Sequence, residues 1–113
     1  MGCLFCNILE KKIPADVVYE DEHAVAFRDI RAVAPTHVLV IPREHIAATR
    51  ELTDKDADTM GHLVLAATKV ARQLELEPSG YRLVINDGEH AGQSVHHIHM
   101  HVLGGRQFSW PPG

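Results

Sequence analysis

No stretch of this chain approaches the roughly 18 consecutive apolar residues that a helix needs to cross a bilayer, so a helical span is excluded. Lysines and arginines are few (11, against 15 acidic residues), and the two signs are interspersed at a net charge of −4. That pattern argues against a basic stripe for nucleic acid or a membrane-surface patch, while leaving room for one small phosphorylated ligand. The amino end, Met1-Gly2-Cys3-Leu4-Phe5-Cys6-Asn7, lacks the basic flank and apolar core of a secretory leader, and the cytoplasm is the expected location. Nor does a Ser or Thr follow where a myristoylation signal would need one. Only two cysteines are present, three positions apart, a poor separation for a stabilising disulfide but a common one for metal or redox chemistry. Repeats, linkers and low-complexity tracts are missing, so residues 1–113 read as one domain.

What is present suffices for a core. Hydrophobic residues make up 45% of 113 positions, although a chain this short buries less of its surface than a larger one. Support from a partner subunit or a bound metal is therefore expected. Residues Cys3 to Lys11 predict a short helix ended by Ile13-Pro14. Val17–Glu20 and Ala24–Arg28 predict two strands around an Asp21-Glu22-His23 turn. The β-branched run His37-Val38-Leu39-Val40-Ile41, closed by Pro42, predicts a central strand. Thr53 with Asp56 three residues on resembles a capping box, opening a helix over 54–74. That helix carries apolar or small residues at Ala57, Met60, Gly61, Val64, Ala67, Ala71 and Leu74, beside a second row of Leu63, Ala66 and Val70. The stripe is too wide for a helix covered on one side only, which predicts a homodimer through it. Tyr81–Asn86 and His97–Leu103 complete the strands, with a loop at Asp87–Gly92 between them. Strands around one long helix, without βαβ alternation, predict an α+β fold with an antiparallel sheet of about five strands.

Nine histidines is a high count, and four fall within residues 96–101. In His97-Ile98-His99-Met100-His101-Val102-Leu103 they alternate with apolar residues, so on a strand His97, His99 and His101 share one face. A solvated polar face would explain the alternation but does not call for three imidazoles. A three-histidine zinc centre meets a distance problem: strand rise separates His97 and His101 by roughly 13 Å, whereas zinc holds its nitrogens at about 2 Å. Nucleophilic catalysis is the third reading. A neutral imidazole attacks phosphorus readily, and its reference pKa of about 6.5 leaves it mostly neutral at pH 7. The nucleophile belongs in the middle, at His99, between neighbours able to hydrogen-bond phosphate oxygens.

The His-φ-His-φ-His-φ-φ pattern at 97–103 resembles the signature of the histidine triad (HIT) superfamily. The likeness extends to Gly92-Gln93-Ser94, Leu103-Gly104-Gly105-Arg106, Ala34-Pro35-Thr36-His37 through Pro42, and the terminal Trp110-Pro111-Pro112-Gly113. The tail is similar to the Hint branch, the histidine triad nucleotide-binding proteins. The resemblance implies that His99 is the nucleophile that becomes nucleotidylated and that His101 donates to the α-phosphate. His97 and His37 match the remaining active-site histidines, as donors or as buried support. Asp29 matches the acceptor of the ribose hydroxyls, Ile30 a residue near the base, and Asn86 a further polar contact. Gly92, Gln93 and Ser94 match a loop that approaches phosphate. The implied substrate is a purine nucleotide such as an AMP phosphoramidate, cleaved at its P–N bond. Dinucleoside polyphosphates, or binding without turnover, are the alternatives. The family also implies a homodimer, with the Trp110 tail near the dimer's active sites.

Cys3-x-x-Cys6 has metal-ligand spacing, and the resemblance supplies His45 and His97 as third and fourth ligands of a structural zinc. Two unrelated cysteines, or a redox pair, are the other readings; no strand precedes them, as it would in a thioredoxin-like motif. His23, His62 and His90 read as surface or turn residues.

Overall fold

Residues 2–113 are described by a computed structural model; Met1, the first residue read for a leader, lies outside them. Helix α1 spans Leu4–Leu9 and α2 spans Ala57–Gln73. The strands are β1 (Val17–Glu20), β2 (Ala24–Arg28), β3 (Thr36–Pro42), β4 (Tyr81–Ile85) and β5 (Met100–Gly104). They form one five-stranded antiparallel sheet in the order β1-β2-β3-β5-β4. This is the α+β architecture expected, and no helix of the described residues is long and apolar enough to cross a membrane.

The sheet is buried on both faces at its centre. Ala24, Ala26, Val38, Val40, Ile98, Met100 and Val102 face α2, where Leu63, Ala66, Ala67, Val70 and Ala71 meet them. Val25, Phe27, Leu39 and Ile41 face the other way and pack with Phe5 of α1. Two-sided burial explains why β2 and β3 read as near-continuous apolar runs. On α2 the first predicted row divides: Ala67 and Ala71 reach the sheet, while Ala57, Gly61 and Val64 face outward beside Leu65, which is 54% exposed.

Both helices close in the same way. At α1 the N–H groups of Lys11 and Lys12 return to the carbonyls of Ile8 and Asn7; at α2, Glu75 and Leu76 return to Arg72 and Ala71. This is the Schellman pattern, with Lys11 and Glu75 at a left-handed φ of 62° where glycine is more usual. The predicted α1 therefore ends earlier than Ile13-Pro14 suggested. The Thr53–Asp56 capping box forms as expected, although its first turn, Asp54–Asp56, is a 3-10 turn.

The last strand begins at Met100 rather than His97. Its partner β3 ends at Pro42, which has no N–H to extend the ladder, and Ile98 instead donates to the Ile46 carbonyl at 2.7 Å. The alternation of faces nevertheless continues through the bend: Ile98 stays with the α2 side, and His97 and His99 stay opposite.

Candidate active site and metal centre

The face opposite α2 carries a cleft of about 460 Å³. It runs across the sheet from His99 and His101 on the β5 side, past Leu39 and Phe27, to Ala15 beside β1. Leu4, Phe5 and Ile8 of α1 form one wall; Asp29, Ile30 and Ser94 stand on its rim. The solvated polar face considered for the histidines is ruled out, because His97 is fully buried and His99 is 5% exposed.

Backbone partners set the tautomer of each histidine. A carbonyl can only accept, so the contact of His99 Nδ1 with the His97 carbonyl at 2.8 Å places the proton on Nδ1. In the neutral ring the lone pair then sits on Nε2, on the opposite edge, and His99 lines the cleft. At His37 the logic reverses. The Val33 N–H donates to His37 Nδ1 at 3.1 Å, so the His37 proton is on Nε2 and is donated to His101 Nδ1 at 2.9 Å. His101 in turn carries its proton on Nε2, a buried atom with no hydrogen-bond partner among the described residues. A buried donor left open beside a cleft is a place where a ligand oxygen completes the structure. Asp29 lies at 3.3 Å from His37 Nε2 and accepts the Arg31 N–H at 2.8 Å, which shapes the rim.

Burial disfavours the charged form of His37, His97 and His101. It is the main cause that lowers His37, with Asp29 opposing, and that lowers His97. His101 is pushed down to about 4, by burial first and then by the neighbouring His99 and His37.

His97 belongs to a second cluster. Its Nε2–H donates to the Pro42 carbonyl at 3.0 Å, leaving the Nδ1 lone pair toward Cys3 Sγ (3.3 Å), Cys6 Sγ (3.7 Å) and His45 Nδ1 (3.1 Å). Cys6 Sγ is also 3.3 Å from His45 Nδ1. Tetrahedral zinc, with bonds of about 2.0–2.3 Å to nitrogen and sulfur, places its ligand atoms about 3.3–3.8 Å apart, and the four residues fit that frame. Burial and the adjacent Cys3 push the Cys6 thiol up to about 11, a proton that a metal would displace. Asp29, His37 and His101 also lie close enough together to suggest an ion. The Val33 N–H on His37 Nδ1 argues otherwise, since it leaves a proton, not a lone pair, on the nitrogen facing the cluster.

Other expected residues take different places. His37 and His97 do not line the cleft; they touch its lining through His101 Nδ1 and through the His97 carbonyl at His99 Nδ1. Asn86 follows β4 on the His99 face, outside the cleft lining. Gly92, at a left-handed φ of 87°, closes the 89–91 turn away from the cleft. Gln93 lies outside the cleft lining: its backbone N–H donates to the Gly88 carbonyl at 3.0 Å, and its side-chain amide accepts from the Gly88 N–H and donates to the Ala47 and Val95 carbonyls. It shapes the loop that presents Ser94. Trp110 is 80% exposed and does not reach the cleft of its own chain. Sequence reasoning missed Phe5, which touches His99 edge-on with ring centroids 5.1 Å apart. Also missed was the clip in which Asp87 binds Thr49 and Arg50, lowering that carboxyl to about 2. Gly88 must be glycine there: its φ is +89°, and a Cβ would lie 2.7 Å from Arg50 Nη2.

A HIT domain profile matches residues 10–108 of this chain. The chain belongs to the HIT family. It is similar to a HIT family hydrolase from Legionella pneumophila, with 50% identity, a TM-score of 0.97, and 99% of this chain and 100% of that one covered. A 14 kDa zinc-binding protein of Zea mays is 49% identical over 112 residues, covering 97% of this chain and 87% of that protein. A histidine triad nucleotide-binding protein from Candida albicans aligns at 30% identity and a TM-score of 0.83, over 97% and 83% of the two chains.

Proposed function

We propose that this chain is a zinc-binding nucleotidyl hydrolase that cleaves the P–N bond of purine nucleoside 5′-phosphoramidates, as a Hint-type enzyme would. One observation carries the reading: His99, with its lone pair on Nε2, and His101, with a buried Nε2–H that has no partner among the described residues, line the same cleft. His99 Nε2 attacks the α-phosphorus while the P–N bond breaks, and the departing amine takes up one proton from solvent water, which is given back when a second water hydrolyses the intermediate. The resulting nucleotidyl-His99 is then hydrolysed by water, releasing AMP and restoring the ring. His101 donates to a phosphate oxygen as charge develops there. Ser94 stands at the phosphate end, Asp29 accepts from the ribose, and Phe5, Phe27, Leu39 and Ile30 surround the base. HIT family hydrolases and a nucleotide-binding relative among its neighbours support this assignment.

Zinc, held by Cys3, Cys6, His45 and His97, supplies a structural tie between the N-terminal segment and the sheet. The zinc-binding name of the maize relative supports it.

We also propose a homodimer. Strand β4 ends the sheet with a regular five-residue edge, unlike the short, bulged β1 at the other end, and regular edges invite pairing. The outward Val64 and Leu65 of α2 add apolar surface. Sedimentation should give a dimer, and Leu65→Asp should shift it toward monomer.

The decisive experiment is AMP release from adenosine 5′-phosphoramidate by wild type and His99→Ala. Turnover lost by on the order of 10³-fold or more in a folded variant supports the nucleophile. Binding of AMP without turnover by the wild type would reduce the chain to a binding protein.

A further inference from the structure

The metal cluster and the cleft share a helix. Cys3 caps α1 and Cys6 lies in its first turn, while Leu4, Phe5 and Ile8 of the same helix wall the cleft. At six residues α1 is far too short to persist alone, and Phe5 is its one buried residue. That ring sits edge-on to His99 (5.1 Å), Phe27 (5.5 Å) and His97 (5.9 Å). A second link runs through His97 itself, whose Nδ1 faces the cysteines and whose carbonyl orients His99. Whatever orders the four ligand atoms therefore also orders the cleft wall and the nucleophile.

We propose that metal binding and nucleotide binding are thermodynamically linked, with Phe5 as the positioning residue that joins the two sites. Zinc in the Cys3/Cys6/His45/His97 clamp holds α1 and Phe5 against His99, so nucleotide binds a cleft whose wall is already in place. By reciprocity, bound nucleotide tightens the hold on zinc by the same factor. The proposal rests on the nucleotide reading of the cleft.

The test is calorimetric. The Kd of AMP is measured on the zinc-loaded and chelator-stripped chain, and the Kd of zinc, by competition with a chromophoric chelator, with and without saturating AMP. A ratio of about 5–100-fold is expected, equal in the two directions. The zinc titration starts from the loaded protein, so it reports the linkage even if the stripped chain loses structure. In Phe5→Leu, which keeps an apolar side chain in the cluster, both ratios should collapse toward one. A wall residue with no coupling role would weaken AMP binding equally in the loaded and stripped chains, leaving the ratio unchanged. AMP binding with ratios near one in the wild type would overturn the linkage alone. Failure of the zinc-loaded chain to bind AMP would overturn the nucleotide reading and the linkage with it.

Discussion

Two histidine clusters lie on the same face of the sheet, built from the same kind of residue, and they are fitted for different chemistry. In the first, the Pro42 carbonyl occupies His97 Nε2 and leaves a lone pair on Nδ1 beside two thiols and His45. In the second, the Val33 N–H occupies His37 Nδ1 and leaves a proton on Nε2, which is passed as a hydrogen bond to His101. A carbonyl makes one ring a ligand; an amide makes the other a donor. The lesson is that the count and spacing of histidines say less than the backbone group each nitrogen meets.

Replacing both Cys3 and Cys6 by Ser is the strongest way to break this contrast. Zinc content should fall from one per chain to none, with a stability loss of several kcal/mol read as a drop in melting temperature of 10 °C or more, as a lost structural metal typically gives. One buried ring contributes about 2–3 kcal/mol, too little to order a six-residue helix whose backbone costs about 1 kcal/mol per residue. Retention of full stability after chelation would remove the structural role.

A smaller effect belongs to the second cluster. His101→Ala should lower kcat on adenosine 5′-phosphoramidate by about 10²–10³-fold, the usual loss for one oxyanion donor, with zinc content unchanged. His37→Ala should cost less, about 10-fold, as the loss of an outer partner that orients a functional histidine commonly does. If His37→Ala stripped the metal instead, the two clusters would not be separate.

The mildest contrast is in pH. His101 is depressed to about 4 and His37 is lowered from 6.5, both mainly by burial. Unfolded imidazoles take up protons near 6.5 that the folded ones refuse, so this contribution to stability is complete above that pH and is lost as pH falls toward 4. Melting temperature should decline over that window in the wild type and more shallowly in His101→Ala. An identical slope in both would mean that His101 is not held neutral by the fold.

Much of the fold was legible because its signals are local. Alternation at 97–103 put Ile98, Met100 and Val102 in the core, and it did so even where the strand itself had given way to a bend. The Thr53–Asp56 box marked the start of the long helix to within a turn. Helix ends were harder, since Lys11 and Glu75 take a left-handed turn that their side chains do not advertise. At the site, spacing singled out the 97/99/101 histidines and the cysteine pair, and the family resemblance added His37 and His45; that the amide of Gln93 turns to Gly88, Ala47 and Val95 has no local signal, since an amide in a loop reads alike whether it faces a ligand or its own backbone.

The sequence by itself determined the alternation of faces, the pairing of one long helix with an antiparallel sheet, and the residue types available for phosphorus chemistry and for metal. These depend on neighbours two to four positions away. Only the tertiary structure decided which nitrogen of each histidine is free, and that Phe5 stands between metal cluster and cleft. Those outcomes depend on partners as far as 55 and 94 positions along the chain, meeting at distances that no local periodicity encodes.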